Sequence, residues 1–96
     1  MLTHIVMFEF TQSESAKEGR DRLLDLIGRV PTLLSLEAHL DVTRSARSYD
    51  LVLITHHNDA QGLADYQSHP AHVEVGAWLK AHTSGVVVVD FASSSQ

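Results

Sequence analysis

The chain has 96 residues, 44% of them apolar and 20% charged, with a formal net charge of −5 and no cysteine. That composition excludes disulfides and thiolate metal sites, and the seven Lys and Arg residues form no basic stripe with interleaved aromatics, so nucleic acid is not an expected partner. One domain with a modest core is expected over residues 1–96 (2–91 structured, 92–96 a frayed tail), and a chain this short gains by burying surface against a second copy.

The opening MLTHIVMFEF has neither a basic region nor a long apolar run, so no signal peptide or anchor is expected there. No apolar run, Val86–Val89 included, approaches the ~20 residues of a membrane helix. A soluble, cytoplasmic protein is the expectation. Residues 2–10 alternate instead: Leu2, His4, Val6, Phe8 and Phe10 share one face of a strand. His4 therefore stands in line with the most apolar side chains of that strand.

Ser15-Ala16-Lys17-Glu18 reads as a capping box, with Ser15 as N-cap and Glu18 three residues on. Leu23, Leu26, Ile27 and Val30 then recur at helical spacing, and Pro31 predicts the helix end at or just before Val30. Leu36, Ala38, Leu40 and Val42 alternate with polar residues as a half-buried strand. A polar turn at RSARS (44–48) and a strongly apolar strand at 49–57 complete a predicted antiparallel hairpin.

Asn58-Asp59 starts a short helix over 60–67. Ser68-His69-Pro70 breaks it, since proline disfavours helical geometry at His69 yet suits the first turn of the next helix, roughly 70–82. Gly85 precedes VVVVDF (86–91), whose β-branched run reads as a central strand. The order β-α-β-β-α-β predicts an α+β, ferredoxin-like fold: a four-stranded antiparallel sheet with helices on one face. The other face has nothing in the chain to cover it, which predicts a homodimer packed sheet against sheet.

Chemistry concentrates in YQSHPAHVEVGAW (66–78). An imidazole titrates near neutrality, so His72 suits proton transfer to and from a carbon or oxygen. Tyr66 would not share a helical face with it in one continuous helix, but the His-Pro break lets both converge on one pocket, where the phenol could hold an enolate oxygen. The plainer reading is that the two satisfy each other at a helix junction. His69 fits a cap of the second helix better than a ligand contact. His4 is either a satisfied core histidine or part of a pocket. Phe8, Leu51, Trp78 and Leu79 are core residues or the apolar lining of a ligand site. No metal or other cofactor is expected: His69 and His72 lack a third ligand in phase, and His56 and His57 must point to opposite faces of their strand.

THIVMFEF, YDLVLITHHNDAQGLADYQSHPAHVEVGAWLK and VVVVDF together resemble the stress-responsive A/B barrel (Dabb) family, over residues 2–91. The most specific part is Tyr-x-x-His-Pro-x-His followed by Val and Gly, combined with the early histidine. The resemblance implies a dimeric α+β barrel with a cavity between sheet and helices in each subunit. It also brings in a plant branch of polyketide cyclases that close a chain by aldol condensation. Their catalytic tyrosine and histidine correspond to Tyr66 and His72, and their early histidine to His4; where they carry another histidine on the third strand, this chain has Leu51. Two functions follow as expectations. One is binding of a small, oxygenated, partly apolar molecule with cofactor-independent acid–base catalysis. The other is non-catalytic: a ligand-binding or stress-associated protein. A cofactor-free monooxygenase of the same architecture is a third.

Overall fold

A computed structural model describes residues 1–93; the end of the predicted tail, 94–96, lies outside the described residues. The elements are β1 (Leu2–Phe10), a 3-10 turn (Ser13–Ser15), α1 (Ala16–Leu24), β2 (Ser35–Leu40), β3 (Leu51–His57), α2 (Ala60–Ser68), α3 (Pro70–His82) and β4 (Thr83–Ala92). All strand pairs are antiparallel and the order across the sheet is β2-β3-β1-β4. This is the ferredoxin-like α+β fold that the element order predicts, with the interrupted second helix as two helices.

Alternation decides which face is buried. His4, Val6, Phe8 and Phe10 of β1 are buried, as are Leu51 and Leu53 of β3 and Leu36 and Ala38 of β2, and they form one core cluster with Leu23, Leu63, Tyr66, Ala71, Val75 and Leu79 from the helices. Gly19 lets α1 lie close on the sheet: a Cβ there would stand 2.7 Å from Phe10 Cζ. The opposite sheet face carries Ile5, Met7, Val52, Ile54, Val87, Val89 and Phe91, and no helix among the described residues covers it. No helix among the described residues is long and apolar enough to cross a membrane.

Four local expectations are corrected. Ser15 has helical backbone geometry (φ −72°, ψ −14°) and makes no side-chain cap bond, because the preceding 3-10 turn already delivers the chain in helical form. An N-cap needs extended geometry, and Glu18 pairs with Arg22 instead. Secondly, α1 stops at Leu24 rather than near Val30. The chain continues in turns closed by bonds such as Leu26 N–H to Leu23 O and Arg29 N–H to Leu26 O, with Gly28 at φ +83°. Leu26 and Val30 are still buried while Ile27 is exposed, so the apolar spacing marked buried positions along successive turns and not one helix.

Thirdly, β2 ends at Leu40 and Val42 is fully exposed. The loop is held by Asp50, whose carboxylate accepts from Phe10 N–H (2.7 Å) and from the Arg44 guanidinium (2.7 Å). Finally, β4 is an edge strand, paired only with β1. It also runs from Thr83 through Ala92, beyond the predicted 86–91. A β-branched run reports that both faces of a strand want apolar surroundings; it does not report the strand's rank in the sheet.

The junction between α2 and α3 forms as expected. His69 is extended (φ −63°, ψ 137°), its Nδ1 accepts from Ala71 N–H at 3.1 Å, and Pro70 occupies the first turn.

Candidate active site

Between the inward face of the sheet and α3 lies a cavity of about 280 Å³. β1 supplies His4, Val6 and Phe8 to its wall, β3 Leu53, and β4 Thr83, Val86 and Val88. From the helices come Leu23, Gln67, His72, Gly76, Leu79 and Lys80. The lining is thus mostly apolar with a few convergent polar groups, the usual character of a small-molecule site.

His4 projects into this wall because it shares the inward face of β1 with Val6 and Phe8. In the antiparallel register it stands opposite Asp90 of β4, and its Nδ1 is hydrogen-bonded to the Asp90 carboxylate. The imidazole is almost completely buried (6% exposed), while the carboxylate is partly open (41%). An Nδ1–H donated to a carboxylate orients the ring and leaves Nε2 facing away from the acid. Asp90 was not anticipated as a site residue. Its signal was present, since it falls in phase with Val86 and Val88, but the partner strand and register that bring it to His4 are not written in local sequence.

His72 is anchored similarly from the other side. Its Nδ1–H donates to the Gln67 carbonyl at 3.1 Å across the helix junction, leaving Nε2 without a hydrogen-bond partner among the described residues. Burial holds its pKa below the usual 6.5; the Gln67 carbonyl pulls the other way, and the nearby His4 adds to the lowering. His72 is therefore a neutral base at pH 7.

Tyr66 touches His72 but not the cavity. Its ring lies between His57 (centroids 5.0 Å apart) and His72 (4.6 Å), and the residue is fully buried. The hydroxyl is enclosed with no hydrogen-bond partner among the described residues, and burial raises the phenol above its ordinary pKa of 10. The expected convergence of Tyr66 and His72 is thus a ring-on-ring contact, with the hydroxyl behind the wall.

Of the other anticipated residues, Phe8 and Leu79 line the cavity, and Leu51, Trp78 and His69 do not. Leu51 is spent under Gly19 of α1 beside Phe10. Trp78 lies on another flank of α3, stacked on His82 (4.1 Å), close to Phe10 and beneath the Arg22 guanidinium (4.7 Å). His69 is occupied as the α3 cap. Among the described residues no three His, Asp or Glu side chains gather as a metal site.

His57 supports the site from below. It is completely buried, with Nδ1–H donating to Thr32 O (2.8 Å) and Nε2 paired with the Thr55 hydroxyl (2.9 Å). Burial lowers its pKa, as it does for His72. Both rings then bind fewer protons folded than unfolded, so their contribution to stability is complete above pH 6.5 and is lost as pH falls through the folded values. Urea unfolding is expected to show stability declining from pH 6.5 to 5.5, by up to about 1.4 kcal/mol per pH unit for each histidine. His57→Asn should flatten that slope, and an equally steep slope in the variant would contradict the assignment.

Comparison with known proteins agrees with this architecture. A dimeric ferredoxin-like protein of unknown function from Thermobifida fusca superposes with a TM-score of 0.84 at 23% identity, over 96% of this chain and 90% of that one. A second such dimeric protein, from Jannaschia sp. CCS1, gives 0.79 at 25% identity, over 96% and 98%. The hydroxynitrile lyase of Passiflora edulis gives 0.82 at 11% identity, over 99% and 94%, a likeness of fold alone. No curated protein matches in sequence. The profile of the stress responsive A/B barrel domain matches residues 2–93, nearly the whole chain, and the protein belongs to that family.

Proposed function

We propose that the chain acts as a homodimer in which each subunit's cavity binds a small, oxygenated, partly apolar molecule and performs cofactor-independent acid–base chemistry on it. The observation that carries this reading is the pair of imidazoles on one largely apolar wall, each tied by Nδ1 and each with Nε2 left over for a ligand. His72 is the base: Nε2 takes a proton from the methylene beside a carbonyl, and the bond electrons move onto the carbonyl oxygen as an enolate. His4, as an imidazolium paired through Nδ1–H with the Asp90 carboxylate, donates Nε2–H to that oxygen. In an aldol-type ring closure the enolate carbon attacks a second carbonyl of the same chain, and the resulting alkoxide receives a proton from an imidazolium. No external oxidant or reductant is needed.

In this reading Tyr66 positions the His72 ring, and His4 takes the oxyanion role that sequence had given the phenol. The dimer is supported by the uncovered apolar sheet face and by the dimeric state of the two ferredoxin-like proteins. Deuterium uptake from D₂O at the methylene of a medium-chain β-keto ester tests the chemistry directly. Uptake should exceed the buffer rate and saturate with ester concentration. Saturable binding with no gain over buffer would move the protein to the non-catalytic reading.

A further inference from the structure

The wall that α3 presents to the cavity is ordered along the helix: His72, Gly76 and Lys80 follow one another at four-residue spacing, with Leu79 and Thr83 beside them. Lys80 is the one Lys or Arg on the lining, no Asp or Glu lines it, and the ammonium makes no salt bridge among the described residues. In a chain of net charge −5 that is a local reversal of sign, at one end of an apolar trough.

Gly76 accounts for the trough. Glycine is less favourable inside a helix than alanine, and here neither a left-handed backbone nor close packing calls for it. A Cβ at Gly76 would meet only the His72 ring, at 3.8 and 4.0 Å. The missing side chain keeps the line between His72 and Lys80 open, over a helical rise of about 12 Å for eight residues. Phe8, Val86 and Val88 offer apolar contact across it.

We propose that Lys80 anchors an anionic end group, and that the ligand is a carbonyl compound with an aliphatic chain ending in a carboxylate, the carbonyl at His72 and His4 and the carboxylate at Lys80. This rests on the acid–base reading of the cavity and names its substrate class. Specificity then comes from a charge at one end and an enolisable carbonyl at the other, with a chain that fits over Gly76 between them.

The probes are 7-oxooctanoate and its neutral amide, followed by calorimetry and by the ring-proton NMR signals of His4 and His72. The wild type should bind the acid more tightly by about tenfold, the scale of one charge-assisted hydrogen bond. Lys80→Met should erase that preference by weakening the acid alone, and Lys80→Arg should restore it. Gly76→Ala should raise the melting temperature while weakening both probes, a combination that a purely structural glycine does not give. Equal binding of acid and amide by the wild type, or an unchanged preference in Lys80→Met, overturns the role of Lys80 and leaves the cavity reading standing. If neither probe moves the histidine signals, the cavity reading and the substrate class both fall.

Discussion

Val89→Glu is expected to convert a particle of twice the 10.6 kDa chain mass into one of the chain mass itself, as read by light scattering on a sizing column. Val89 sits on the uncovered sheet face, on its edge strand β4, where the register aligns it with Ile5, and Ile5 with Ile54, in one apolar row across three strands. In the single chain it is 57% exposed, so a glutamate there is solvated and the subunit should fold normally. In a two-fold assembly packed sheet against sheet the same position should be buried, and symmetry makes every substitution count twice. An uncompensated buried charge costs about 3–5 kcal/mol, so two of them should weaken association by more than about 10⁴-fold. Val42→Glu, at a site that is 91% exposed in the β2–β3 loop, is the control and should leave the mass unchanged. A wild type that already runs at 10.6 kDa would end the dimer reading. A Val89→Glu protein that remains paired would move the interface to another surface.

The same face shows which properties were legible in the sequence. Alternation in residues 2–10 assigned side chains to the two faces correctly, because period 2 is set by the backbone and survives whatever packs on it. Proline did equally well: Pro70 cannot donate a backbone hydrogen bond and restricts the residue before it, so the break at His69 and its capping contact followed from local chemistry. Beyond the local misreadings at Ser15 and the end of α1, the failures were long-range. Nothing local tells Val86–Val89 that β1 is its one neighbour, or tells Asp90 that it faces His4 eighty-six residues away. Tyr66 is intermediate. Its meeting with His72 was readable from the helix break, but its other ring neighbour, His57, is brought in by β3.

His72→Ala is expected to lower the deuterium-exchange rate with the β-keto ester by 10²–10⁴-fold at about pH 7, the span that a positioned acid–base group contributes. The side chain is half-buried and its one polar bond is to the Gln67 carbonyl, so the fold should tolerate its loss and the effect should fall on turnover. Two further variants separate the partners. Asp90→Asn replaces the carboxylate that pairs with the His4 imidazolium, and it should reduce the rate while leaving His72 competent. Tyr66→Phe removes a hydroxyl that has no partner among the described residues but keeps the ring against His72. A donor hydroxyl acting on the enolate would cost about 10²–10³-fold when deleted; a ring that only positions the base should cost a few-fold at most. The pH profile adds an independent check, because burial depresses the His72 pKa. The acid limb of the profile should lie below pH 6.5, where His72 gains a proton. A Tyr66→Phe loss as large as that of His72→Ala would return the oxyanion role to the phenol and remove it from His4.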